Sequence, residues 1–421
     1  MRTHRIHNWA KFVTSVAGVG VLTATGATTA MAAVDTQVQV AVPADPQCTK
    51  GDPPHIVGHR GSAGLSPENT IASFEQAADA EADYIEVDVN LSADGELVLF
   101  HDTTGARTTN VAEVFPDRAD DPLVTFTFEE LRQLDAGSYF SDEFDGELVP
   151  TLVEAAQATD PQTGISIELK SPQNSPGVEQ ALATALEDNR YWQRLIARDQ
   201  ILVSSFDEQS LRMFHELAPH IPVLYIGDVP ESDAELADLA TWADGIVTNY
   251  RNLDPADVQR VQATGLTIDV YTVNSVDHML AVTELGVDSV ITDFPDVLAR
   301  VQCGLDPIPG ANGIEVLDVV EDVPGSDLQP ETGEHVVLTN TGDTTVDVSG
   351  YVLQDAVINR LVVGEGYTLA PGATLNVYTG TGTNTADKYY VGGTSNVLNN
   401  SGDSIAVFTP DLELVDLYAY Y

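Results

Sequence analysis

From His55 to about Gln302 the chain alternates short apolar runs with longer stretches of helical period. Nine runs read as strands: HIV, YIEVDV, ELVLFH, ISIELK, ILVSSF, VLYIG, GIVTN, IDVYTV and SVITD. Repeated strand–helix alternation over this length predicts an α/β fold with a parallel sheet, closed as a TIM-type (β/α)₈ barrel. Nine candidates are one too many for eight strands. The gap from Val89 to Glu96 is also too short for a helix, so one weak run is expected outside the barrel. Among the helices, Pro67 to Ala80 is predicted with Ser66 as N-cap, Pro67 in the first turn, and Ile71, Phe74 and Ala78 on one face.

The pattern changes after a Pro/Gly-rich linker at 303–312, CGLDPIPGAN. Residues 313–421 carry HVVLTN, TVDVSGYVL, TLNVYTG and SIAVFT between Gly, Asn, Asp and Pro, with no helical period. Such spacing predicts an immunoglobulin-like all-β sandwich. At the other end, residues 1–32 read as a secretory signal peptide. Arg2, Arg5 and Lys11 precede a mostly apolar stretch from Phe12 to Leu22, and Ala30-Met31-Ala32 has the small-x-small form of a cleavage site. Residues 33–54 form a polar leader, and residues 55–302 form the barrel. No later segment has the length and apolarity of a membrane span. The expected location is secreted, outside the cytoplasm or on the cell surface.

Two strands carry the candidate chemistry. In YIEVDV, Ile85, Val87 and Val89 alternate with Glu86 and Asp88; in ISIELK, Ile165, Ile167 and Leu169 alternate with Glu168 and Lys170. Strand side chains alternate faces, so in a barrel the apolar set meets the helices and the charged set points into the lumen near the mouth. The alternative is a half-solvated sheet, which would have to hold twice within a parallel sheet that should be covered on both faces. Three carboxylates that converge in a barrel cannot all stay ionised and unpaired. An all-oxygen set points to a hard divalent metal, Ca²⁺ or Mg²⁺, with Lys170 as a fixed positive charge beside it.

His59 and His101 close two of the runs. A lone histidine is usually structural, whereas two beside a carboxylate cluster can supply one acid and one base. Arg60 offers a planar fork for a phosphate oxygen, and the helix predicted from Pro67 would aim free N–H groups at the same anion. The ensemble reads as metal-assisted cleavage of a phosphate ester.

Charge narrows the partners. The net charge is −47, and a signal peptide with three cations and no acid leaves the remainder near −50. There are only four lysines: Lys11, Lys50, Lys170 and Lys388. Such a surface repels nucleic acid and anionic membranes and fits a saline habitat, where screening shortens self-repulsion. The two cysteines, Cys48 and Cys303, bracket the barrel segment. In an oxidising compartment a disulfide between them would contribute roughly 5 kcal/mol in the chain-entropy model; two thiols are the alternative.

The order HRG…PENT…IEVDV…LVLFHD…IELK…VSSF…VYTVN…GVDSVITDFP resembles the glycerophosphodiester phosphodiesterase family over roughly residues 55–300. The resemblance implies hydrolysis of glycerophosphodiesters to sn-glycerol 3-phosphate and an alcohol. It implies His59 and His101 as the catalytic pair, Glu86, Asp88 and Glu168 as metal ligands, and Arg60 and Lys170 as phosphate binders. The family often has Trp where this chain has Tyr271 in VYTVN; with Phe206, Tyr271 is expected to line the alcohol or glycerol side, core packing being the alternative for both. Asp102, Glu68 and Asn274 are expected as supporting partners, unless they act only as caps and turns.

Residues 313–421 are similar to the lamin-tail domain through GEHVVLTNTG, VDVSGYVLQD, LAPGATLNVYTGTG and NNSGDSIAVF. Without a cluster of His, Lys or Arg, this segment is expected to attach to a surface component or to stabilise, not to catalyse. Two other readings share the first domain. One is a phospholipase D-type toxin that acts on lipids through a similar constellation; the other is a surface-binding protein that uses the barrel only as a scaffold.

Overall fold

The structure is a computed structural model, which describes residues 53–159 and 161–421. The expected signal peptide, most of the leader and Cys48 lie outside the described residues. So, therefore, does the expected pairing of Cys48 with Cys303.

Nine strands form the first sheet: β1 (His55–Gly58), β2 (Tyr84–Leu91), β3 (Leu97–Leu99), β4 (Gly164–Leu169), β5 (Ile201–Ser205), β6 (Val223–Ile226), β7 (Gly245–Asn249), β8 (Thr267–Tyr271) and β9 (Ser289–Thr292). Eight are parallel and close on themselves, because β1 pairs with both β9 and β2. The supernumerary strand is β3, within the ELVLFH run. It pairs antiparallel with β2, Val89 opposite Leu99 and Leu91 opposite Leu97. The turn between them holds Gly95 at φ 90° and is stitched by the Ser92 hydroxyl, which donates to Asp94 and accepts from the Glu96 amide. A gap this short permits a hairpin but no parallel crossover, so β3 leaves the barrel and directs the chain outward.

Alternation along the strands divides the core. Ile85, Val87, Val89, Ile165, Ile167 and Leu169 pack with helix residues such as Phe74, Leu182 and Phe214 in the layer between sheet and helices. Val57, Leu224, Ile226, Val247 and Ile291 fill the lumen. Between β3 and the helix Leu152–Ala158 the chain inserts short helical turns with a core of their own, including Val98, Phe100, Leu123, Phe126 and Leu134.

The helix expected from Pro67 begins later, at Ile71, and ends at Asp79, with Thr70 as N-cap accepting from the Ser73 amide. Asn69 takes a left-handed φ of 54° because both ends of its side chain are held by Asp88. Nδ2 donates to Asp88 Oδ2 at 2.8 Å, and Oδ1 accepts the Asp88 amide at 3.2 Å. The Ser-Pro-Glu start signal is overridden by this tertiary contact. Pro67 to Thr70 forms a non-helical arch, so no helix N-terminus at Pro67 serves an anion.

The remainder is all-β. One sheet orders β10 (Ile314–Val320), β11 (His335–Asn340), β16 (Thr374–Tyr378) and β17 (Lys388–Tyr390). A second orders β14 (Arg360–Val362), β13 (Val352–Asp355), β18 (Asp403–Phe408) and β19 (Leu414–Tyr420), and a small pair joins β12 (Val346–Asp347) to β15 (Thr368–Leu369). Inward residues of both large sheets, among them Val336, Leu338, Leu375, Leu353, Ile405 and Val407, share one core. This sandwich is docked on the barrel: Val352, Ala406, Phe408 and Leu417 from its second sheet, and Ile308 from the linker, are part of the barrel's own apolar cluster. Among the described residues no helix is long and apolar enough to cross a membrane.

Candidate active site

Glu86, Asp88 and Glu168 project from β2 and β4, which pair in register so that Asp88 lies opposite Glu168. All three are buried, and one oxygen from each lies within 4.8 Å of the others. Burial and the neighbouring carboxylates push Glu86 and Glu168 well above the usual carboxylate range. Burial acts on Asp88 in the same direction, but Arg60 and Lys170 outweigh it and hold Asp88 well below. Lys170 Nζ stands 2.9 Å from Glu168 Oε1 and 3.3 Å from Asp88 Oδ1. Asp88 Oδ1 is nevertheless buried without a hydrogen bond. A hard-oxygen cluster with an orphaned carboxylate oxygen fits a divalent cation.

The two histidines are presented alike. His59, just past β1, directs Nδ1 to Asp293 Oδ1 at 2.6 Å; His101, just past β3, directs Nδ1 to Asp102 Oδ1 at 2.7 Å. A carboxylate partner makes Nδ1–H the donor, which leaves Nε2 of each ring for proton exchange. Burial lowers His101 below its ordinary value even though Asp102 pulls it up.

Each carboxylate is fixed in turn. Asn274 donates from Nδ2 to Asp293 Oδ2, and its Oδ1 accepts from the Asp293 amide at 3.0 Å and from Thr292 Oγ1 at 3.2 Å. Asp102 accepts from Arg107 Nε at 2.7 Å, and the same guanidinium forks onto Glu68 at 2.6 and 2.8 Å. Glu68 also receives Arg60 Nη1 at 2.9 Å, while its amide donates to Tyr139 Oη at 3.0 Å. Burial alone would raise Glu68, but Arg60 and Arg107 hold it down at about 2. His101, Asp102, Arg107, Glu68 and Arg60 thus form one connected chain of charge-assisted bonds.

Arg60 is half-buried at φ 50°, with its backbone amide on Glu86 Oε2 at 2.8 Å and Nε 3.4 Å from Asp88 Oδ2. It follows His59 directly, so the loop carrying His59 also touches the metal-type cluster. A cavity of about 230 Å³ is lined by the polar His59, Arg60, Glu86, His101, Glu168 and Lys170 and by Leu202, Phe206, Ile226, Val247 and Tyr271. Phe206 is 53% exposed, so core packing does not explain it. Lys170 Nζ sits 5.7 Å from its ring centroid, and its ring meets Tyr271 edge-on at 6.2 Å.

Of the residues expected in the site, His59, Arg60, Glu86, His101, Glu168, Lys170, Phe206 and Tyr271 line one cavity; Asp88 is buried beside Glu86 and Glu168, Asp102 and Glu68 bond His101 and Arg60, and Asn274 reaches His59 through Asp293. The structure adds three for which the sequence suggested no role. Asp293 supports His59, Arg107 joins Asp102 to Glu68, and Tyr139 holds the Glu68 loop from the insertion. An acid directly after a barrel strand was the available signal for Asp293. For Arg107 it was the scarcity of cations in so acidic a chain.

Known proteins point the same way. The model of the glycerophosphoryl diester phosphodiesterase family matches residues 59–297, and that of the lamin tail domain matches residues 309–421. The glycerophosphodiester phosphodiesterase of Bacillus subtilis strain 168 is 32% identical over 260 residues, covering 59% of this chain and 86% of the relative. That of Caldanaerobacter subterraneus is 35% identical over 245 residues, covering 58% and 95%. The structure of an Oleispira antarctica phosphodiesterase in complex with the product sn-glycerol 3-phosphate superposes with a TM-score of 0.50 at 28% identity, covering 59% of this chain and 96% of that one. With the family model spanning more than half of the sequence and relatives at about a third identity over most of their length, the chain belongs to the glycerophosphoryl diester phosphodiesterase family.

Proposed function

We propose that the protein is a secreted, metal-dependent phosphodiesterase that hydrolyses glycerophosphodiesters to sn-glycerol 3-phosphate and an alcohol. The observation that carries this reading is the pairing, in one small cavity, of two carboxylate-held histidines with a buried cluster of three acids. Glu86, Asp88 and Glu168 would hold Ca²⁺ or Mg²⁺, which when bound supplies positive charge that neutralises phosphate oxygens.

The chain's own groups do the rest. Arg60 and Lys170 bind the phosphate and keep its oxygens oriented. One histidine takes the proton of the attacking hydroxyl at Nε2, and the other gives its Nε2 proton to the departing alkoxide as the P–O bond breaks. Asp293 and Asp102 keep Nδ1 of each ring protonated, so that the exchanging atom is always Nε2. Phe206 and Tyr271 line the side that receives the alcohol or glycerol portion.

A cavity of about 230 Å³ suits a water-soluble deacylated diester better than a two-chain lipid. Side-by-side assays with glycerophosphocholine, lysophosphatidylcholine and sphingomyelin test this. Turnover of the soluble diester well above both lipids is expected. Preference for either lipid overturns the substrate assignment in favour of a phospholipase D-type activity, and binding without turnover of any of them overturns the enzymatic one. Secretion is tested separately by N-terminal sequencing of protein recovered from culture medium, with a mature start after Ala32 as the expected result.

A further inference from the structure

The cavity is built from barrel residues, yet the loop that presents His59 and Arg60 is also gripped by the second domain. Gln354 on β13 is 2% exposed, and its Nε2 donates to the Gly64 carbonyl at 3.0 Å. Its orientation is fixed, because Oε1 accepts from Arg360 Nε at 2.8 Å and a guanidinium can only donate. Arg360 itself reaches the barrel's insertion: Nη1 donates to the Phe140 carbonyl, and the guanidinium lies 4.7 Å over the Phe140 ring. Phe140 follows Tyr139, which holds the Glu68 amide.

Gly64 is clamped from the other side as well. Its amide donates to the Asp293 carbonyl at 3.0 Å, and a Cβ there would lie 2.3 Å from the Phe294 ring. The same face of the sandwich reaches the other support of His59, where Ser404 Oγ lies 3.4 Å from Asn274 Nδ2, the group that orients the Asp293 carboxylate. Both contacts converge on the His59–Asp293 pair from β13 and β18, strands whose Val352, Ala406 and Phe408 share the barrel's core. The expectation that this domain serves only attachment or general stabilisation omits these contacts.

We infer that Gln354 of the sandwich is a positioning residue for catalysis, holding the His59–Arg60 loop against Asp293 through the Gly64 carbonyl. This rests on the reading of His59 as an acid–base group. Without the clamp the loop keeps its other bonds, among them the Ser62 amide on Ser73 and the Asn69 side chain on Asp88, but the segment at Gly64 loses its hold from the sandwich. Small displacements of an acid–base group lower kcat far more than KM.

The test uses the full chain with Gln354→Met and Gln354→Glu. The first removes both polar contacts; the second keeps the Arg360 acceptor but sets a carboxylate oxygen against the Gly64 carbonyl, and it still reports if the first fails to fold. His59→Ala is assayed beside them. The expected result is a fall in kcat on glycerophosphocholine of about tenfold in both variants, with KM within about twofold. Amide hydrogen exchange over residues 60–66 should speed up while the melting temperature holds. Wild-type kcat in both Gln354 variants, with His59→Ala inactive, overturns the positioning role alone. So does a loss of kcat that tracks a lowered melting temperature and is recovered on cooling. An active His59→Ala overturns the catalytic reading on which the inference stands.

Discussion

Replacing Asp293 by asparagine separates orientation of His59 from its mere presence. Asn274 fixes the outcome, because its Oδ1 is committed to the Asp293 amide and the Thr292 hydroxyl and its amino group must therefore face residue 293. The introduced asparagine can turn its oxygen toward that amino group. Its own amino group then faces His59 Nδ1, which must accept, and the ring proton moves to Nε2. The opposite orientation keeps the working tautomer but sets two amino groups against each other, unless Asn274 turns over and gives up two hydrogen bonds. At about 1 kcal/mol net each, that alternative lies about 2 kcal/mol higher. Roughly one molecule in thirty then retains the working tautomer. Loss of the charge that supports the imidazolium adds to this, so kcat for Asp293→Asn should fall by about 10² to 10⁴. KM should stay within about threefold, since the phosphate binders are untouched. Release of sn-glycerol 3-phosphate under saturating glycerophosphocholine measures it, with the melting temperature as control. A loss of less than tenfold in well-folded protein would refute the proposed tautomer control.

Three further outcomes follow from the same geometry. Arg107→Met leaves the buried Glu68 carboxylate with Arg60 as its one remaining guanidinium partner among the described residues and takes Nε from Asp102; chemical denaturation should show a loss of about 3 kcal/mol, and a loss below about 1 kcal/mol would mean that solvent substitutes for the guanidinium. Burial pushes Asp355 up to about 6, with the Asp403 charge adding to it and the Asn359 bonds opposing. A raised folded value means that the favourable contribution is complete below the unfolded value of about 4 and is lost as pH rises through about 6. Asp355→Asn should therefore stabilise by up to about 3 kcal/mol above pH 6 and by nothing near pH 4, and a gain independent of pH would exclude the charge as its cause. Finally, a net charge of −47 opposes an anionic substrate, so KM should fall as salt is added until screening saturates. A steady rise of KM with salt would show that attraction at Arg60 and Lys170 dominates.

How much of this was legible in the chain depended on how far each contact reaches. The lumen-facing acids were legible because Glu86 and Asp88, and likewise Glu168, interrupt strands whose other face is purely aliphatic. The extra strand was foreseeable from the short gap before Glu96, although only the pairing of Val89 with Leu99 identifies it as β3. PENT was misread because its local signals favour a helix, whereas the winning contact, Asn69 on Asp88, is tertiary. The partners of the catalytic rings were hidden for the same reason. Asp293 lies 234 residues from His59, and Arg107 lies 39 from Glu68. Neither distance leaves a periodic trace. The docking of the sandwich through Gln354 and Ser404 has no sequence signature, since a buried polar residue on a strand looks the same whether it faces its own sheet or a neighbour.

The central claim is that metal and paired histidines act together in one cavity. Its most direct test is release of sn-glycerol 3-phosphate from glycerophosphocholine by metal-stripped protein, with Ca²⁺ or Mg²⁺ restored, beside His59→Ala. The account predicts no release without metal, recovery with one of the two cations, and loss of that recovery in the variant. Full activity after stripping, or a His59→Ala variant as active as the wild type, would contradict it.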